Sequence, residues 1–297
     1  MQDHTIEGRL ASLGSAEARA HGNRRLATKR LWAAARTGGV LITIFFVTFP
    51  LVWLILTAFK THRDALSTRL LFSPTLENFQ LLFGKTFDFG PMIVNSVIIS
   101  IVTVVGAVPL AAMAAYALSR YTFRGRNQLL IALLASQFLP GVVIIFPYYI
   151  MFRNLGLLDT RLGLIVLHLA SSIPFCTWLL LGFIDSLPPE IEEAGLVDGC
   201  NEMRVLRYVT APLLMPGIIT AAVFAFVGSW NEFLFAYILT SDKARPMMVG
   251  LMGLINLYGV PWERLAAAGV LVLIPVFILS LSIRRYFIEG LTMGAVK

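Results

Sequence analysis

With 57% hydrophobic residues, 14% charged residues and a mean hydropathy of +0.77, the 297-residue chain carries more apolar surface than one soluble core could bury. That composition excludes a soluble domain and implies an integral membrane protein. The net charge of +7 calls for no nucleic acid, because basic residues beside membrane segments orient such proteins.

Residues 1–36 are polar and basic, with Arg19, Arg24, Arg25, Lys29, Arg30 and Arg36, and read as a cytoplasmic tail whose charge sets topology. The apolar run behind them is too long for a signal peptide and lacks a small-residue cleavage site. A hydrocarbon core of ~30 Å takes about 20 residues at 1.5 Å each. Six uncharged runs reach about that length: Thr37 to Phe59, Phe89 to Ser119, Asn127 to Phe152, Leu162 to Ile184, Tyr208 to Asn231 and Leu265 to Ile283. The expected fold class is therefore an all-α membrane protein of six transmembrane helices. Residues 37–59 form the first helix, 89–286 a core of five, and 287–297 a cytoplasmic C-terminal tail. Pro246 to Trp262 is also uncharged but short and broken by Gly250, Gly253, Gly259 and Pro261, and reads as a re-entrant or interfacial piece. Gly84-Lys85-Thr86 suggests a phosphate loop, but Phe79 stands where the pattern needs glycine.

Orientation follows from the basic residues. A cytoplasmic N-terminus puts fifteen of the 24 Lys and Arg on inner segments and nine on longer outer ones. Both termini are then cytoplasmic, and so is the polar stretch 187–212.

That stretch packs Glu190, Glu192, Glu193, Asp198, Glu202, Arg204 and Arg207 between two apolar runs, too many charges for hydrocarbon. Pro188 and Pro189 end the fourth span, and the carboxylates after them suit a helix N-terminus. Gly199 breaks that helix after Asp198. Met203, Leu206 and Val209 then recur at helical spacing, giving a second short helix with an apolar ridge before Pro212 opens the fifth span. Acidic residues this dense are disfavoured on an anionic leaflet, so the elbow is expected to meet a protein.

Polar and aromatic groups inside the spans mark candidates for a solute path: Asn95, Gln137, Tyr148, His168, Ser172, Trp230, Asn231 and Glu232. Hydroxyls and amides in membrane helices often serve packing instead. Glu232 is ionisable, but about 24 residues past Tyr208 a straight helix carries it near the outer surface. Cys176 and Cys200 are too few and too separated for a disulfide framework or a metal site. An ion-coupled secondary transporter and an intramembrane enzyme both fit the hydropathy. The first gives no role to an acidic cytoplasmic elbow, and the second lacks HExxH and GxSxG patterns.

Glu193-Ala194-Gly195-Leu196-Val197-Asp198-Gly199, followed by Val209-Thr210-Ala211-Pro212, resembles the EAA loop of type I ABC importer permeases. Asn95-Ser96, Ala115 to Arg120, Phe123 to Arg126, Leu155 to Thr160, Trp230 to Phe233 and Gly290 to Lys297 resemble the maltose-type members, which carry carbohydrates. The resemblance spans Thr37 to the end.

It implies a type I importer permease fold in a bacterial or archaeal plasma membrane. Glu193, Ala194, Gly195, Asp198, Gly199, Met203, Leu206 and Pro212 would form the coupling loop docking on a dimer of separate ATPase subunits. ATP and Mg would belong to those subunits and no cofactor to this chain. A second homologous permease, in a heterodimer, and an extracytoplasmic solute-binding protein are the other partners implied; an ABC permease for a non-carbohydrate solute is the alternative. Gly195 and Cys200 replace the pattern's usual alanines, and Gly195 costs about 1 kcal/mol in helix propensity relative to Ala.

Overall fold

The computed structural model describes residues 32–33, 35–84, 87–255 and 259–295, the last twelve of these as backbone only. The expected N-terminal tail up to residue 31, Lys85 and Thr86 of the phosphate-loop motif, part of the 246–262 segment and the last two residues lie outside this description. Among the described residues the chain is helical, and Phe83 and Asp88 form an isolated bridge. Contacts divide it into two units, residues 1–56 and 57–297.

The described part of the first unit lies mostly in α1, Ala35–Ala58, apolar and long enough to cross a membrane. Phe45, Phe49 and Trp53, spaced four apart, stack along one side with ring centroids 5.6 and 6.1 Å apart. Thr43 and Thr48 donate their hydroxyls to the carbonyls four residues back, which satisfies them without water.

The second unit opens with α2 (His62–Ala65) and α3 (Glu77–Leu82), two short helices before the long α4 (Gly90–Arg120). Three helices form its centre: α4, α7 (Arg161–Asp185) and α11 (Met215–Trp230). They approach closely because small residues recur every four positions. Ala107, Ala111 and Ala115 on α4 are fully buried, and Gly217, Ala221 and Ala225 on α11 are buried too. A side chain at Gly217 would stand 2.7 Å from the Phe183 ring, so nothing larger fits there.

Two expected spans are not straight. Residues 127–152 fold as α5 (Arg126–Ser136) and α6 (Gly141–Asn154), bent by 98°. Pro140 supplies the extended backbone before Gly141, and a count of apolar residues cannot register it. The expected fifth span likewise divides. Its first part, 202–213, meets α11 at 83°, with the turn at Leu214 and Pro216 in the first turn of α11. Pro212 therefore sits in the short α10 (Ala211–Leu213) rather than opening the span. Among the described residues, four helices are long and apolar enough to cross a membrane, and six segments are if each bent pair is one span.

Beyond α11 come α12 (Leu234–Leu239) and α13 (Met247–Gly253). The described part of the glycine-interrupted 246–262 segment is thus a short helix, which packs on the start of α4: a side chain on Gly250 would meet Met92 and Phe89. The final α14 runs Trp262–Ala295, so its backbone stays helical through most of the expected tail.

Candidate functional site

The elbow is built as two helices about a glycine. α8 (Glu190–Val197) carries Glu190, Glu192 and Glu193 in its first turn, where carboxylates face the positive end of the helix dipole. It closes with Gly199 at φ +86°. The Gly199 amide donates to Leu196 O and the Cys200 amide to Gly195 O, both at 3.1 Å, the paired bonds that end a helix in a left-handed residue. Asn201 then caps α9 (Glu202–Val205), its side-chain oxygen accepting from the Arg204 amide at 2.9 Å. A π-helical turn, Leu206–Thr210, follows.

Adjacent carboxylates point opposite ways. Glu193 is exposed, whereas Glu192 is 6% exposed. The Arg120 guanidinium grips Glu192 with both prongs, Nε at 2.7 Å and Nη2 at 3.1 Å. Thr210 in the π turn donates to the same carboxylate at 3.1 Å. Arg120 Nη2 also donates to Ile184 O and Leu187 O at 3.2 Å, at the end of α7. One buried charge pair thereby ties α4, α7, α8 and the π turn together. Beside it, a hydrogen bond to Glu202, with a smaller effect of burial, pushes the Tyr121 hydroxyl up to about 12 and joins the end of α4 to α9.

The other expected coupling residues fall on two sides. Ala194, Asp198, Gly199, Met203 and Pro212 are exposed with Glu193; Cys200, outside the expected set, is half-buried. Gly195 is buried, its α-carbon turned to the Val205 and Val209 methyls, and Leu206 is half-buried against the core. The apolar ridge expected along Met203, Leu206 and Val209 therefore does not face outward as a unit. Val197, one turn beyond Glu193, is an 87% exposed apolar side chain to which the sequence assigned no separate role. Glu192 was passed over too; its helical phase, 100° from Glu193, was the available signal.

Mid-bundle, Gln137, His168, Ser172 and Glu232 converge on a cavity of about 260 Å³, joined by Ser171, Phe175, Cys176, Phe224, Ala225, Gly228 and Ser229. His168 is 3% exposed; its Nδ1 lies 2.7 Å from Ser229 Oγ and its Nε2 3.7 Å from a Glu232 oxygen. Glu232 is held by the amides of Phe235 and Ala236, at 2.8 and 2.9 Å, at the start of α12. It does not sit at the outer surface as expected. His168 lies seven residues inside α7, roughly 10 Å from its end, and Glu232 is beside it because α11 starts only at Met215.

The remaining candidates lie apart from the cavity. Asn95 donates to Lys243 O and Arg245 O at 3.0 and 2.9 Å and accepts from Arg161, so its amide holds a loop. Trp230 is 1% exposed and donates to Val272 O on α14 at 3.2 Å. Tyr148 packs with Phe152 and Phe235, and Asn231 caps α11. At that same end Asp159, with φ +54°, gathers the amides of Ser241, Asp242, Lys243 and Ala244 and the Ser241 hydroxyl at 3.0–3.2 Å. Burial pushes its carboxyl up, but these bonds outweigh it and leave it at about 2.

Multiple apolar crossing segments, an acidic elbow fastened from within and a polar cavity between the central helices define a polytopic membrane permease. The chain belongs to the family of binding-protein-dependent transport system inner membrane components, whose pattern matches residues 107–292. It is similar to a probable ABC transporter permease protein of Sinorhizobium fredii, 40% identical over 258 residues that cover 86% of this chain and 92% of that one. It is also similar to the trehalose/maltose transport system permease protein of Thermococcus litoralis, 31% identical over 264 residues covering 88% and 95%. The crystal structure of a bacterial ABC transporter involved in alginate import contains a chain that superimposes with a TM-score of 0.75, at 22% identity, over 88% of this chain and 98% of that one. The fold is that of a type I importer permease. The chain is the membrane permease of an ABC importer and not its ATPase subunit.

Proposed function

We propose that this permease imports a sugar or sugar-like solute, and that Glu193, Ala194, Asp198, Gly199 and Met203 are the surface through which a dimer of ATPase subunits drives it. The carrying observation is the division of the elbow: those residues are exposed, while Glu192 behind them is locked to the ends of α4 and α7. A push on the face is thus delivered to the central helices. Gly195 and Leu206 act from behind the face by shaping the elbow, and Pro212, exposed in α10, shapes its exit. The chain hydrolyses no ATP and binds no cofactor; ATP and Mg stay with the partner. The elbow and both termini are cytoplasmic, a second homologous permease completes the path as a heterodimer, and a solute-binding protein docks on the opposite side. Support for the sugar comes from the trehalose/maltose relative, and support for the binding protein from the family itself. ATP-driven alternation between inward-facing and outward-facing forms is a population shift between two arrangements of the bundle.

Glu193→Lys and Gly199→Val should leave the protein inserted while abolishing co-purification of the ATPase or its coupled hydrolysis. Normal transport by both variants would end the docking reading. Labelling of Cys200 by an impermeant thiol reagent in intact cells would end the cytoplasmic placement. A strict preference for amino acids or metals in uptake assays would end the sugar.

A further inference from the structure

The cavity holds a buried group whose bonding is incomplete. His168 Nε2 has no hydrogen-bond partner among the described residues, although the ring is 3% exposed. A Glu232 oxygen stands 3.7 Å away, beyond hydrogen-bond reach. An orphaned polar atom in a buried site is costly, and such a group in a native fold points to something that completes it. A bound hydroxyl completes it with either imidazole tautomer. If Nδ1 donates to Ser229, Nε2 needs a donor, and a hydroxyl donates; if Nδ1 accepts, Nε2 donates to the hydroxyl oxygen, whose own hydrogen goes to Glu232.

The rest of the lining matches a ring bearing several hydroxyls. Ser172 and the Gln137 amide, whose Nε2 lies 3.3 Å from Ser171 O, add polar groups, and Phe175 and Phe224, in edge contact at 5.3 Å, supply an apolar wall. At about 260 Å³ the space falls just under the range of roughly 300–1,000 Å³ usual for drug-sized ligands. It suits one ring rather than a chain. Glu232 brings a carboxylate and the lining contains neither Lys nor Arg, its one base being His168, so an acidic solute would meet a like charge with no permanent cation to offset it.

We infer that this subunit itself contacts the solute, and that His168, Ser229 and Glu232 form a subsite for one uncharged polyhydroxylated ring, rejecting uronic acids by charge. The inference rests on the sugar reading above. Gly228, an exposed residue of the lining, provides the probe: a β-carbon built there meets nothing within 4 Å, so Gly228→Leu adds bulk at the cavity wall with no clash at its first atom. The importer is reconstituted in vesicles with its co-purifying subunits and assayed on neutral mono- and disaccharides, polyols and a uronate dimer. Neutral compounds should enter and the uronate should not. Gly228→Leu should cut neutral uptake at least about tenfold, and Glu232→Leu likewise, while Glu232→Gln keeps more than half. Each variant is accepted only if it co-purifies with the ATPase in wild-type amount; should Gly228→Leu fail there, Ser172→Met fills the cavity from α7. Wild-type uptake by the filled variant would overturn the subsite and leave the sugar reading standing. Equal entry of the uronate would overturn the charge rule. A wild-type importer that takes no saccharide or polyol would remove both readings together.

Discussion

Two carboxylates fasten the loops at the two ends of the bundle, and they draw their donors from different sources. Asp159 collects backbone amides from one short strap, residues 241–244. Glu192 collects side chains, Arg120 from α4 and Thr210 from the π turn, and through Arg120 reaches the carbonyls that end α7. The first arrangement fixes the shape of a single loop. The second joins elements 18 to 72 residues apart, so a displacement of one is transmitted to the others. Under the proposed coupling, the elbow end would pass motion on and the opposite end would hold still.

The largest effect expected on this contrast comes from Glu192→Ala. It strands Arg120, whose side chain is 17% exposed, and should cost about 3–5 kcal/mol in the unfolding of the purified chain. Replacing both partners by apolar groups, Arg120→Met with Glu192→Leu, should restore most of that stability while ATP hydrolysis no longer drives uptake. Restored coupling in the double variant would reduce the pair to a structural contact. Asp159→Ala should cost less, about 2 kcal/mol, and leave ATPase co-purification intact. Because the carboxyl is held at about 2 against an ordinary 3.8, its contribution is complete above pH ~4 and is lost as pH falls toward 2; the variant should flatten that limb of the stability curve. The smallest effect is a gain. At Gly195 an added methyl would stand 3.4 Å from Val205 and Val209, ordinary contact, so Gly195→Ala should raise stability by up to about 1 kcal/mol through helix propensity. A loss instead would mean that those valines cannot yield.

The elbow was legible in the sequence because its signals are local: charges between apolar runs, prolines at the entry and a glycine that φ +86° requires. The spans were legible as lengths but not as lines. Hydropathy counts residues, and neither the bend before Gly141 nor the one at Leu214 changes the count. That omission also misplaced Glu232. Counted straight from Tyr208 it rises about 36 Å, but α11 contributes only 16 residues, about 24 Å. Half the candidate path residues belong to packing or loops, since Asn95 and Trp230 have polar groups whose partners lie 148 and 42 residues away. For Glu192 the helical phase marked the inward face, but its partner, 72 residues distant, could not be read from it.

The right angle at Leu214 makes residues 202–230 a crank. One arm, 202–213, carries α9 and the π turn; the other, α11, ends at Ser229 and Trp230, just before Glu232. A thrust along the first arm reaches the second as torque about Leu214 rather than as a push along its axis. With Gly217 pressed on Phe183 close to that pivot, the near end of α11 has little room to translate, and under the proposed coupling the stroke would be spent as swing at the far end, where Ser229 lines the cavity.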